Sequence, residues 1–225
     1  MQAQKTQVYN LIILDKSGSM ESIRKAAIDG YNETIGSIKA AQRKYANTQE
    51  HFISLAVFCD CDVEMIYDCV PIDAAENLTK EKYTPCCMTP LYDAIGKSVK
   101  ALSNKTDKIE DAAVLVTIIT DGMENASQEW TGPAIKKLID ERKEEGWMFS
   151  YIGADHDVES VAASISITNV VSWTKTQAGT EVMICNENEA RERFYEKMDV
   201  LCSPCVAMSE KKQLRKQFSE EYYKK

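Results

Sequence analysis

The stretch Ala113 to Thr120 (AVLVTIIT) constrains the fold of this chain more than any other. It is uncharged and rich in β-branched residues, and it shows no polar–apolar alternation. Such a run suits a strand covered on both faces, the usual condition of a parallel sheet with helices above and below. Val8 to Leu14 (VYNLIIL) has the same character. Further strands are expected at Phe52–Phe58, Val63–Val70, Met148–Ile152 and Asn169–Trp173. Helical periodicity fills the gaps. It runs from about Glu21 to Tyr45, onward from Pro90, from about Gly132 to Glu145, from Val158 to Ala163 behind an Asp155 or Asp157 cap, and from Thr180 to Met198. In the last of these Val182, Ile184, Phe194 and Met198 are read as inward residues. Thr89 stands where the N-cap of the helix at Pro90 belongs.

Strands alternating with helices predict an α/β sheet with helices on both faces. The link Asp60-Cys61-Asp62 is too short for a crossover, so the third strand should run antiparallel to the second at a sheet edge, with Pro71 ending it. At roughly 150 residues per domain, 225 residues bound the chain between one and two domains. No linker-like composition interrupts it before about residue 200. One domain over residues 1–200 with a helical extension over 201–225 is the economical division.

The charge balance, 35 acidic against 27 basic residues for a net −8, argues against nucleic acid as a partner. The last segment is locally basic through Lys211, Lys212, Arg215, Lys216, Lys224 and Lys225, which reads as a solvated helical face. No run of roughly 18 apolar residues is present to span a membrane. The N-terminal segment does not read as a signal peptide, so a cytoplasmic location is expected. In that compartment the 8 cysteines are expected as free thiols. Cys202 and Cys205 form a lone CxxC, a zinc or redox signal for which the sequence identifies no further ligands.

Ligands of open α/β sheets bind beyond the carboxyl ends of the strands. Three polar groups fall there: Asp15-Lys16-Ser17-Gly18-Ser19 after the first strand, Thr89 before the helix at Pro90, and Asp121 after the most buried strand. Each residue alone reads as a cap or turn residue. Together Asp15, Ser17, Ser19, Thr89 and Asp121 form a set of hard oxygen donors suited to Mg²⁺ or Mn²⁺, and less well to Zn²⁺. Two carboxylates only neutralise a dication, and five side chains leave room in its shell. The site therefore reads as a docking point for an acidic residue of a partner protein. The helix beginning near Ser19 turns its positive end towards the site, which favours Asp15 and an incoming carboxylate over the cation itself.

These motifs resemble the von Willebrand factor A (VWA) domain family. Asp15-Lys16-Ser17-Gly18-Ser19 matches its Asp-x-Ser-x-Ser signature, Thr89 in Thr89-Pro90-Leu91-Tyr92-Asp93-Ala94-Ile95 its threonine, and Asp121 in Thr120-Asp121-Gly122 its second aspartate. The match covers roughly residues 6–200. It looks closest to intracellular bacterial members, judging by Thr89–Ile95 and by Tyr151-Ile152-Gly153-Ala154-Asp155. The resemblance implies a Rossmann-like three-layer αβα sandwich with a mostly parallel six-stranded sheet and one antiparallel edge strand. It also implies a metal-ion-dependent adhesion site (MIDAS) that recognises protein ligands. Many relatives carry glycine shortly before the threonine, where this chain has Cys86-Cys87-Met88 and so places thiols near the ion.

A second function class is a metal-assisted hydrolase or phosphotransferase using the same ion with His156 as base, in Asp155-His156-Asp157. The alternative for His156 is a solvent-facing turn, and His51 reads as structural. A P-loop, a Gly-x-Ser-x-Gly elbow and a haloacid-type aspartate pair are all absent from the sequence. Trp130, Trp147 and Trp173 read as core or rim, with Trp130 the one placed to touch a partner. The non-enzymatic binding module is the preferred reading, and a small-molecule substrate is not expected.

Overall fold

A computed structural model of the chain describes residues 5–202 and 206–224. Strands β1 (Thr6–Asp15), β2 (Gln49–Cys59), β3 (Asp62–Pro71), β4 (Ala112–Thr120), β5 (Met148–Gly153) and β6 (Asn169–Ser172) form one sheet in the order β3-β2-β1-β4-β5-β6. All neighbours are parallel except β2 and β3, which run antiparallel at the edge. The short Asp60–Cys61 link enforces that exception, since a parallel return needs a long crossover. The helices are α1 (Arg24–Lys44), α2 (Leu91–Thr106), α3 (Gly132–Glu144), α4 (Val158–Ser164), α5 (Gln177–Leu201) and α6 (Met208–Glu220). The architecture is a three-layer αβα sandwich. Among the described residues no helix is long and apolar enough to cross a membrane.

The two sides of the central strands are sorted by residue parity. Leu11 and Ile13 of β1 and Val114, Val116 and Ile118 of β4 pack under α2, α3 and α4. Ile12 and Leu14 of β1 meet α1 and α5, while Val8, Ala113 and Leu115 meet α5 and the C-terminal helix segment. Both faces of β1 and β4 are thus covered, which is why their sequences lack polar alternation. Helices α1 and α5 cross closely at Gly30, where an added Cβ would stand 2.6 Å from Ile184 Cγ1.

Four local expectations need correction. The helix expected from Glu21 opens as a 3-10 turn over Gly18–Ile23 before becoming α-helical at Arg24. The residue flanking α2 is Pro90 rather than Thr89, and side chains from elsewhere serve that helix start. The N–H of Tyr92 donates to Glu124 Oε2 at 2.8 Å and that of Asp93 to Ser127 Oγ at 3.0 Å. In α5, Val182 is 61% exposed and Met183 is buried instead. The face of α5 that turns inward also carries Glu187 and Arg191, so its apolar period is broken in the sequence.

The fourth correction concerns the basic tail. Lys211 and Arg215, one helical turn apart on α6, are buried rather than solvated. Lys211 Nζ donates to Asp111 Oδ2 at 2.7 Å, Arg215 donates to Asp111 Oδ1, and Thr6 Oγ1 donates to Asp111 Oδ2 at 3.1 Å. Burial pushes the Asp111 carboxyl up, but these two cations prevail and hold it below its ordinary value. Helix α6 is thereby fixed to the residues that enter β4. Asn169 Nδ2 adds a bond to the Ser219 carbonyl at 2.7 Å.

Candidate metal centre

Asp15 ends β1 and Thr120 ends β4, and the two strands are adjacent and parallel. From β1 the chain moves outward one way through β2 and β3, then returns to build β4, β5 and β6 on the other side. The crevice beyond Asp15 and Thr120 is therefore the point where strand order reverses.

Asp15, Ser17, Thr89 and Asp121 are all buried there. Asp15 Oδ1 accepts the Ser17 N–H at 2.6 Å, and its Oδ2 accepts the Thr120 hydroxyl at 2.6 Å. Ser17 Oγ lies 3.2 Å from Ser19 Oγ, and Ser19 Oγ donates to Asp121 Oδ1 at 2.7 Å. Four of the five candidate residues thus form one hydrogen-bonded series. Thr89 flanks it through Gly122: a Cβ at Gly122 would stand 3.1 Å from Thr89 Oγ1. The main chain of Thr89 is held at both ends, its N–H donating to Asn125 Oδ1 at 2.8 Å and its carbonyl accepting the Asn125 N–H at 3.1 Å. Below the crevice, Tyr83 donates its hydroxyl to the Asp15 carbonyl at 2.6 Å.

The electrostatics of this group are unbalanced. Burial lifts the Asp15 carboxyl to about 6, against the pull of its Thr120 and Ser17 donors, and the nearby charge of Asp121 lifts it further. Asp121 Oδ2 is buried without an aligned hydrogen bond. The positive charge closest to it belongs to Lys175, whose Nζ lies 2.5 Å from Asp121 Oδ2 and 3.6 Å from Asp155 Oδ2. Two buried carboxylates, one of whose oxygens faces only the Lys175 ammonium, and three hydroxyls make a donor set that fits a small, hard dication.

Sequence reasoning missed Lys175. It lies between β6 and α5, just past the carboxyl end of a strand. The rule that pointed to Asp15 and Asp121 would have found it if applied to the sixth strand as well.

No family model and no curated protein matches the chain. Solved structures do. The pilus adhesin SpaC from Lactobacillus rhamnosus GG superposes with a TM-score of 0.62 at 14% identity, over 86% of this chain and 31% of that one. Proximal thread matrix protein 1 of the mussel byssus, in a form with a zinc-occupied MIDAS motif, gives 0.51 at 12% identity, over 89% of this chain and 47% of that one. The SpRpn10 VWA domain gives 0.50 at 11% identity, over 81% of this chain and 95% of that one.

This chain has a VWA fold. At these identities the likeness concerns the fold alone, and the chain spans less than half the length of the first two proteins. Within this VWA fold the remaining candidates fall into place. His156 is half-buried. Its Nδ1 lies 2.6 Å from the Ala154 carbonyl and its Nε2 lies 3.2 Å from the Tyr151 hydroxyl. Both ring nitrogens are therefore engaged, one by Tyr151 of β5 and one by the turn after it. Asp157, not Asp155, caps α4 by accepting the Ser160 N–H at 3.1 Å. His51 is buried, bonded to Gln49 Oε1 at 3.1 Å and set edge-on to Tyr195. Trp130 packs its indole onto α2, where a Cβ at Gly96 would fall 2.2 Å from it. That contact makes it a packing anchor rather than a free surface aromatic. Of the lone CxxC pair, Cys202 bonds the Thr48 carbonyl and Cys205 lies outside the described residues.

Proposed function

We propose that this VWA domain is a non-enzymatic, divalent-cation-dependent protein-binding module. In this reading Asp15, Ser17, Ser19, Thr89 and Asp121 hold Mg²⁺ or Mn²⁺. The cation, when bound, supplies a Lewis-acidic position that accepts a carboxylate from a partner protein. The observation that carries the proposal is the convergence of two buried carboxylates on one crevice with Ser17 and Ser19 between them. A group of this sign and burial calls for a cation.

The chain's own residues supply the rest. Tyr83 and Thr120 fix the Asp15 end, and Asn125 fixes Thr89. Lys175 neutralises Asp121 in the absence of an ion and has to yield that oxygen when one arrives. The adhesin named above and the zinc-occupied MIDAS of the byssus protein are consistent with this reading. The hydrolase alternative gains nothing from His156, whose nitrogens are already engaged. We further propose a cytoplasmic setting, because the described cysteines are unpaired thiols and a reducing compartment keeps them so.

Calorimetric titration with Mg²⁺ and Mn²⁺ tests the site. The parent should bind one ion per chain, and Asp15→Ala and Asp121→Ala should each abolish binding while leaving the circular dichroism spectrum intact. Unchanged binding in both variants would overturn the assignment. Capture of a protein partner from native lysate should then be lost both with chelator and in Asp15→Ala.

A further inference from the structure

Beside the oxygen site lies a second cluster of opposite chemical character. The end of β2 brings Cys59 and the link after it Cys61, and the loop before α2 brings Cys86 and Cys87. Cys59 Sγ lies 3.6 Å from Cys86 Sγ, and Cys61 Sγ lies 3.3 Å from Cys87 Sγ. The sulfurs of Cys59, Cys61 and Cys86 all lie within 4.8 Å of one another, and Cys61 and Cys87 share a second such group with Asp60. Cys61 thus joins the two groups.

We propose that Cys59, Cys61, Cys86 and Cys87 form a binding site for one thiophilic dication, with Zn²⁺ as its ion. Tetrahedral zinc with Zn–S bonds of about 2.3 Å places its sulfurs roughly 3.8 Å apart. The two direct thiol pairs, at 3.6 and 3.3 Å, lie within about 0.5 Å of that spacing, so side-chain rotation would draw the two pairs around one ion. Each thiol surrenders its proton to solvent as it ligates. The four thiolates and the ion then form a unit distinct from the hard-oxygen crevice next door.

The backbone around the cluster is pinned independently of the sulfurs. The Cys86 N–H donates to the Lys16 carbonyl at 2.8 Å, the Gly18 N–H to the Cys87 carbonyl at 3.1 Å, and the Asp60 N–H to the Met88 carbonyl at 3.2 Å. Met88 N–H returns a bond to Asp60 Oδ1 at 3.1 Å. The Asp60–Met88 bonds thus join the two cysteine-bearing segments, and the Lys16 and Gly18 bonds hold the second of them to the turn after β1. Cys87 also sits at φ 64°, in the left-handed region that favours glycine. A side chain there costs about 1 kcal/mol, and such a cost is typically retained where the residue has a role. Exposed Cys61 and Cys87 give an ion a way in, while buried Cys59 gives it an anchored end.

The site would also fasten the segment leading to Thr89 onto the β2–β3 turn. It would thereby set the position of one donor of the neighbouring crevice.

The test is anaerobic titration of the reduced, metal-free chain with Co²⁺. An intense near-ultraviolet sulfur-to-cobalt charge-transfer band should saturate at one equivalent and vanish on adding Zn²⁺. Cys61→Ser and Cys87→Ser, both at exposed positions, should each weaken binding at least tenfold, and the double variant should lose the band. Asp15→Ala should leave the band unchanged, which separates this site from the crevice. Absence of the band in the reduced parent would overturn the proposal. So would a band that survives in the double variant, since the thiolates would then lie elsewhere, Cys202 and Cys205 included.

Discussion

The same two central strands, β1 and β4, carry two buried polar clusters that have opposite fates. Midway along them, Arg191 of α5 reaches Asn10 Oδ1 at 3.1 Å, Thr117 Oγ1 at 2.8 Å and Glu187 Oε1 at 2.9 Å. Tyr222 and Tyr223 donate to the same Glu187 carboxylate, and Tyr195 donates to Asn10. One cation meets one anion, with the Thr117, Tyr222 and Tyr223 hydroxyls and the Asn10 amide around them, and among the described residues of this cluster only the Arg191 Nε is left without a bond. At the carboxyl ends of the strands, Asp15 and Asp121 face each other's charge with Lys175 at the rim. The first cluster is closed and serves the fold by tying α5 and the C-terminal residues to the sheet. The second is short of positive charge and stays receptive. Burial and hydrogen bonding are alike in both, so it is the charge balance that separates a structural cluster from a candidate site.

The largest effect should come from breaking the closed cluster. Arg191→Met leaves the Glu187 carboxylate buried alone, and unfolding by denaturant should show a loss of about 3–5 kcal/mol. Adding Glu187→Gln to it should recover part of that loss. A single variant as stable as the parent would remove the contrast drawn above.

His51 probes the same neighbourhood by pH. Burial, aided by the charge of Arg191, lowers its pKa to about 4 from the ordinary 6.5. The folded protein keeps the ring neutral while the unfolded chain protonates it. Stability should therefore fall as pH drops from 6.5 towards 4, by about 3 kcal/mol in total at about 1.4 kcal/mol per unit. Denaturation curves of His51→Phe should lack this component of the slope.

The receptive cluster should respond in the reverse sense. Asp15 has its carboxyl raised to about 6, so its ionised form opposes folding. In chelator at pH 7, Asp15→Asn should stabilise the protein by about 2 kcal/mol while ion binding is lost. The parent should lose stability as pH climbs from about 4 towards 6, and the variant should not. The smallest effect belongs to Lys175. Lys175→Met removes a competing cation and should tighten Mn²⁺ binding several-fold in calorimetry, equivalent to about 1 kcal/mol. Weaker binding would show instead that Lys175 supports the site.

Much of this was readable from the sequence. The uncharged run at Ala113–Thr120 demanded a doubly covered strand, and the Asp60–Asp62 link demanded an antiparallel edge. Strand ends then indicated where Asp15, Ser17, Ser19 and Asp121 gather, because a parallel sheet places all such ends on one side. What escaped notice depends on side chains that defy their usual partition. Glu187 and Arg191 face inward one turn apart, and so hid the true inner face of α5 and let Val182 pass for a core residue. Lys211 and Arg215 look solvated until Asp111, about 100 residues earlier, is placed against them. The thiol cluster joins two segments separated by all of β3, a distance at which spacing patterns fall silent.

Beyond Asp121 the chain is stapled to the first turn of α2. The Asp93 carboxylate accepts the N–H groups of Gln128, Glu129 and Trp130, Glu124 accepts that of Tyr92, and the indole of Trp130 is seated on Gly96. Thr89 and Asp121 consequently ride on one plate, while Asp15, Ser17 and Ser19 ride on another formed by β1 and the turn into α1. The crevice is the seam between these plates, crossed by the Ser19 hydroxyl to Asp121, by the Thr120 hydroxyl to Asp15, and by main-chain bonds from Cys86 to Lys16 and from Gly18 to Cys87. A cation held there, as proposed, would act as a rivet, adding one more tie between the turn after β1 and the loops that carry Thr89 and Asp121.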